Sequence, residues 1–393
     1  MNPGRPRAPS WSRLGALSFA HFTNDLYAAF LAPLLPLVVA KFGLTLALAG
    51  LLGSAFNLSS AFSQPLFGMA ADRFPRPVFT ILGALVTVVM MGLLGLAPSY
   101  HAMLAVLFIG GLGTAAFHPQ SFAAAGAVSG DRRGAGLSLF IAGGELGYSL
   151  GPVYVAAIVG AIGLSGTAVA ALPGVVACLL LWRFAGSWWS GLETPTRVGL
   201  RTEVRRHGRA LALIWLVVVL RSVVTLAHIL FIPLLMRDRG ETLMMGGTAV
   251  LLFGGVGSIG GLIGGALSDR IGRRAVMAIS LIATAPLLVL FGSIESNWGL
   301  VPLALGGFTL FLAAPVSIVM AQEMFPSRAS LASSLVTGMA WGTAGLSMTL
   351  IGAIADKIGL AQTLSASVGL FPIALMAIWA LPAQPPRARA TLD

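Results

Sequence analysis

The chain has 393 residues, 57% of them hydrophobic and only 9% charged, with a mean hydropathy of +0.90 and a formal net charge of +11. A soluble protein of this length is about a quarter charged, so this chain lacks the charge to coat a water-facing surface, and lipid is its solvent. The single cysteine, Cys178, excludes an internal disulfide and a cysteine-built metal cluster.

A basic, proline-rich head at 1–13 leads straight into apolar sequence without the pattern of a cleaved signal peptide. Apolar runs broken by charge, Pro and Gly then predict spans at 14–38, 47–70, 77–97, 102–127, 136–161, 166–185, 210–236, 246–267, 275–293, 299–324, 330–354 and 362–381. Each approaches the roughly 20 residues needed to cross a bilayer. Only helices and closed barrels satisfy their backbone in lipid, and the alternating pattern of barrel strands is absent. The expectation is an all-α integral membrane protein of twelve transmembrane helices in two six-helix halves, 14–185 and 210–381. A polar central loop at 186–209 joins the halves, and a tail at 382–393 follows.

Of the 24 Lys and Arg residues, nineteen fall in the head, the even-numbered loops, the central loop and the tail. Four (Lys41, Arg237, Arg239, Lys357) fall on the other side, and Arg221 lies within a span. Positive charge concentrates on the cytoplasmic side of membrane proteins, which predicts cytoplasmic termini and central loop in a bacterial inner membrane. The charge is an orientation signal, and no nucleic-acid partner is expected.

The stretch "GMAADRFPRP" at 68–77 recurs as "GALSDRIGRR" at 265–274, both reading G-x-x-x-D-R-x-x-R. Asp72 and Asp269 are 197 residues apart; Pro119 and Pro315, and Arg132 and Arg328, are 196 apart. A near-constant offset predicts two parallel pseudo-symmetric halves. The twelve spans, the basic central loop and the twice-written motif resemble the major facilitator superfamily over essentially the whole chain. Within it, "HFTNDLYAAFLAPLLP" (21–36), "GTAAFHPQSFAAAG" (113–126), "GGELGYSLGP" (143–152) and "MFPSRAS" (324–330) resemble the fosmidomycin-resistance branch of drug exporters.

The resemblance implies alternating access around a central cavity lined by spans 1, 4, 7 and 10, with 2, 5, 8 and 11 beside them. It also places the repeated motif where the halves meet. Gly68, Asp72, Arg73 and Arg76, with Gly265, Asp269, Arg270 and Arg273, are then conformational latches, a carboxylate facing helix N-termini or Arg when one side is closed. The plainer reading is that these charges only set topology. The first copy has Pro75 and Pro77 where the second has Gly272 and Arg274, and "GYSLGP" lacks the glycines that usually follow in the antiporter motif, having Val155 and Ala156.

Charge at mid-bilayer is costly and marks function. The ionisable residues well inside the spans, away from their ends, are His21, Asp25, His118, Glu145, Arg221 and His228, all on cavity-lining or adjacent spans. At 1.5 Å per residue, Asp25, His118, Glu145 and Arg221 lie roughly 14–17 Å deep. Asp25, Glu145, His21 and His118 are proton-coupling candidates. Arg221, Asn24, Asp25, His118, His228 and Trp341 are substrate-binding candidates. Arg221 requires something negative opposite, with Asp25 and Glu145 the available carboxylates. Each residue has a plainer alternative: an Asp25–Arg221 brace, His118 bonding carbonyls freed by Pro119, His228 facing external water, Trp341 as packing.

The function expected is a proton-coupled secondary transporter, not an enzyme, that exports a small organic molecule such as a drug-like or anionic one. It is expected to act as a monomer, with no cofactor and no metal. The alternatives are a proton-coupled importer of an organic anion or nutrient, and, from Met320 and Met324, a copper transporter. No phosphate-cradling loop for an ATP-driven pump is present.

Overall fold

The computed structural model describes residues 10–71, 77–188, 200–324 and 335–381, and every regular element among them is helical. We number the helical spans α1 (Trp11–Phe42), α2 (Leu46–Ala71), α3 (Val78–Leu96), α4 (Tyr100–Val128), α5 (Arg133–Ile162) and α6 (Gly166–Trp188). The second half holds α7 (Leu200–Asp238), α8 (Leu243–Ile271), α9 (Arg273–Ser293), α10 (Asn297–Glu323), α11 (335–358) and α12 (Leu360–Ala380). Eleven described helices are long and apolar enough to cross a membrane. The remaining one, α11, opens on a π-helical turn at Leu335–Met339 and is interrupted at Ser347, and its expected start at 330 lies outside the described residues.

Two spans are broken where proline dictates it. Pro33 has no N–H for the Ala29 carbonyl and its ring crowds that oxygen, so α1 breaks at Ala29–Phe30. Pro315 does the same to Phe311, and α10 breaks at Leu312. Regular helix runs past the expected span ends on either side of the central loop, α6 to Trp188 and α7 from Leu200, while the apolar, membrane-length part of α7 begins at Gly208.

The sequence repeat has a counterpart in three dimensions. A threonine pair joins α3 to α4 through Thr87 and Thr114 at 3.1 Å, and α9 to α10 through Thr284 and Thr309 at 2.8 Å. Gly111 lets α4 lie against the Phe56 carbonyl as Gly307 lets α10 lie against that of Phe253. Lys41 donates to the carbonyls of Gly95 and Ala97 at the end of α3, and Arg239 to those of Phe291 and Gly292 at the end of α9. A cation on a helix C-terminus satisfies both its orphan carbonyls and its dipole.

The halves meet along α2 with α11 and along α5 with α8, closing most tightly at the face opposite the termini. There Gly50 packs on the Met348 backbone and Gly352 on that of Leu46. The Ser54 hydroxyl donates to the Gly345 carbonyl at 2.8 Å. On the other seam Gly247 packs on Pro152.

Candidate functional site

Asp25 anchors a buried polar cluster in the N-terminal half. His21 and Asp25 are one helical turn apart on α1, and His21 Nε2 lies 3.2 Å from Asp25 Oδ2. His118 comes from α4, with its Nε2 3.6 Å from Asp25 Oδ1. Each histidine turns its other nitrogen to a backbone carbonyl: His21 Nδ1 to Phe140 at 2.8 Å, His118 Nδ1 to Thr114 at 2.9 Å. The alternative in which His118 bonds a carbonyl freed by Pro119 is overturned. Proline frees the carbonyl four residues before it, that of Ala115, and His118 bonds Thr114. The Asn24 amide donates to Asp25 Oδ1 at 2.8 Å, so Asn24 orients the carboxylate.

The glycines of "GGELGYSLGP" place α5 against this cluster. Gly143, Gly147 and Gly151 set α5 directly on the α1 backbone at Ser18, Phe22 and Leu26, and Gly144 leaves room for the His21 ring. Phe140 stacks on His21 with centroids 4.3 Å apart. The same helix carries Glu145 on the seam with α8, one turn from Ser149, whose hydroxyl lies against Gly254 of α8. Below it, Tyr148 lines a small cavity with Phe56, Asn57, Leu230 and Met348.

Arg221 does not meet the sequence expectation. It is 3% exposed, and its Nε and Nη1 are buried without a hydrogen-bond partner. Among the described residues no carboxylate pairs with it, and the Asp25–Arg221 brace does not form. Positions related by the 196–197 offset are equivalent in the two halves, not opposed. Asp25 on α1 therefore turns to α4 of its own half. His228 is also corrected: it is fully buried, does not face external water, bonds the Val224 carbonyl at 2.8 Å and stacks on Phe253. Trp341 is half-buried on α11 against the core. Met320, half of the copper reading, is fully buried in the apolar core.

Of the latch residues, Asp72, Arg73 and Arg76 lie outside the described residues. Gly68 packs near Pro119 and Gly265 near Pro315, one more repeated contact. Asp269 lies 3.5 Å from Arg273. Arg273 makes its stronger pair with Glu323 at the end of α10, through Nε–Oε2 at 2.8 Å and Nη2–Oε1 at 2.6 Å. This bidentate clamp lies within the C-terminal half. Arg270 is exposed.

Two acids escaped the sequence reading. Glu323 sits at a span end and carries no motif. Asp356 accepts from the backbone N–H groups of Leu46 and Ala47 at 2.8 and 2.9 Å, capping α2 from the other half. The only signal for Asp356 was an acid in the loop after a long apolar run.

Two pseudo-symmetric helical halves around a polar, membrane-buried centre define a multi-pass transporter. The chain matches the family model of the Major Facilitator Superfamily over residues 17–349, and it belongs to that family. It is 30% identical over 354 residues to the fosmidomycin resistance protein of Escherichia coli K12, covering 88% of this chain and 87% of that protein. It is 28% identical to the uncharacterized MFS-type transporter YfnC of Bacillus subtilis 168, covering 96% and 94%. The fold is similar to a crystal structure of a bacterial homologue of the human lysosomal transporter Spinster, inward-facing and unoccupied. That similarity has a TM-score of 0.80 at 19% identity over 94% of this chain and 96% of that one. A crystal structure of the nucleoside transporter NupG is similar at a TM-score of 0.72 and 16% identity, over 94% and 98%. Like its relatives, the protein is a membrane transporter of small molecules and not an enzyme.

Proposed function

We propose that the protein is a proton-coupled exporter of a small organic anion, with Glu145 carrying the coupled proton. The observation that carries this is the position of Glu145: a carboxyl group on α5, one turn from Ser149, which lies against Gly254 of α8 in the opposite half. Rocking the halves changes its surroundings, so its protonation and the conformational change are linked. His21, Asp25 and His118 all belong to one half and travel together when the halves rock.

Arg221 supports an anionic substrate. Its guanidinium stays charged, and its two unbonded nitrogens suit the fork geometry of a carboxylate or phosphonate. Fosmidomycin, to which the Escherichia coli relative confers resistance by its name, is a phosphonate. The distribution of Lys and Arg puts the termini in the cytoplasm of a bacterial inner membrane, and the repeated D-R-x-x-R motif closes the cytoplasmic side in the other state of the cycle.

The test is flux in proteoliposomes with an imposed pH gradient and fosmidomycin as probe. An inward proton gradient is expected to drive efflux, and Glu145→Gln to abolish that drive while substrate still binds. Gradient-driven transport that survives Glu145→Gln overturns the assignment. Proton-driven uptake would make the protein an importer.

A further inference from the structure

The cluster at Asp25 has a donor pattern that proton carriage by Glu145 does not use. His21 and His118 each place Nδ1 at 2.8–2.9 Å from a backbone carbonyl, which accepts only, so both Nδ1 atoms carry the proton. In a neutral imidazole the other nitrogen is then a bare lone pair. Both bare Nε2 atoms point at the same carboxylate, at 3.2 and 3.6 Å. Three acceptors turned toward one another repel unless something positive lies between them.

We propose that His21 Nε2, His118 Nε2 and the Asp25 carboxylate form a binding site for one divalent transition-metal ion of the zinc, cobalt and nickel class. The ligand atoms all lie within 4.8 Å of one another. A tetrahedral ion with bonds of about 2.0–2.1 Å spaces its ligands about 3.3 Å apart; His21 Nε2 lies 3.2 Å from one carboxylate oxygen and His118 Nε2 3.6 Å from the other, so both imidazoles stand near ligand spacing from the carboxylate they share. Two imidazoles and a carboxylate suit borderline divalent ions. Metal-bound histidines characteristically donate their second N–H to a carbonyl or carboxylate, which fixes the tautomer. The Phe140 and Thr114 carbonyls already do this, and the Asn24 amide holds Asp25 Oδ1 in the same manner. All of these groups come from α1, α4 and α5 of one half, so the site stays intact as the halves rock. The side chains of Asp25 and His118 keep 17% and 19% exposure, which leaves a coordination position open.

The experiment is a Co2+ titration of chelator-stripped, tag-free protein in detergent, followed by calorimetry and visible absorption. One ion per chain is expected, with the intense ligand-field bands of a four-coordinate site. His21→Ala and His118→Ala should each weaken binding at least tenfold, and His101→Ala, at an exposed histidine in the first turn of α4, should leave it unchanged. His118→Cys should keep the site and add a thiolate-to-cobalt charge-transfer band, a gain of signal that misfolding cannot mimic. Absence of saturable binding in the unsubstituted protein, or equal binding in all four variants without that band, overturns the proposal. It would leave the pair as imidazolium donors to Asp25. Binding is read without transport, so this failure and a failure of the Glu145 assignment are separable.

Discussion

A guanidinium with two buried, unbonded nitrogens is an expensive feature to keep in a membrane helix. Arg221 is such a group, and its consequences separate two roles cleanly. If it braced the fold through a carboxylate, Arg221→Met would leave an unpaired buried charge and cost roughly 3–5 kcal/mol. With no partner among the described residues, Arg221→Met should instead leave thermal unfolding in detergent unchanged or raise its midpoint. Arg221→Lys keeps the charge and loses the fork. It should weaken binding of an anionic phosphonate at least tenfold, about 1.4 kcal/mol, as read by calorimetry. Normal phosphonate affinity in Arg221→Lys would remove Arg221 from the substrate site. The sequence made this residue visible because any charge inside an apolar run stands out. It could not show the partner. His21 and Asp25 met because a single turn of α1 aligns them, whereas His118 joins them through helix packing, which no local spacing encodes.

At the scale of elements, the N-terminus of α2 is where the two halves are tied most specifically. The first turn of a helix leaves backbone N–H groups without partners and a partial positive charge. Here a carboxylate from α11, Asp356, accepts from two of them. Moving the halves apart on the face opposite the termini would break this contact. Asp356→Asn keeps the shape and loses the charge, at a cost of about 1 kcal/mol, which is roughly a fivefold shift toward the state open on that face. With Cys178 replaced by Ala, Ser54→Cys reports that opening, since Ser54 is 4% exposed when the face is closed. Labelling of that cysteine by a membrane-impermeant maleimide should be several-fold faster in the Asp356→Asn background. An unchanged rate would reduce Asp356 to a passive cap. The sequence marked the D-R-x-x-R loops for this kind of role because they are written twice. Asp356 has no repeated motif, and its meaning comes only from α11 lying beside α2.

For the whole molecule, the repeat was the most legible property. An offset of 196–197 residues predicted two equivalent halves, and the paired threonines, glycines and C-capping cations realise it contact by contact. Which face the halves close on was not legible, because a chain that alternates between two arrangements of nearly equal energy must write both in one sequence. In the arrangement described, α2 and α11 touch through Ser54 and Thr349, whose hydroxyls are 3.1 Å apart. Transport by rocking requires that this contact break once per cycle. Ser54→Cys combined with Thr349→Cys, in a Cys178→Ala background, should therefore form a disulfide under mild oxidation. That bond should stop net flux in proteoliposomes. Reduction with dithiothreitol should restore flux, since each substitution is small and the hydroxyls removed bond only at the seam that opens. A cross-linked protein that still transports at the reduced rate would mean that α2 and α11 stay together throughout the cycle. The moving boundary would then have to lie elsewhere, at α5 and α8, where Gly254 lies against Ser149 and Gly247 against Pro152.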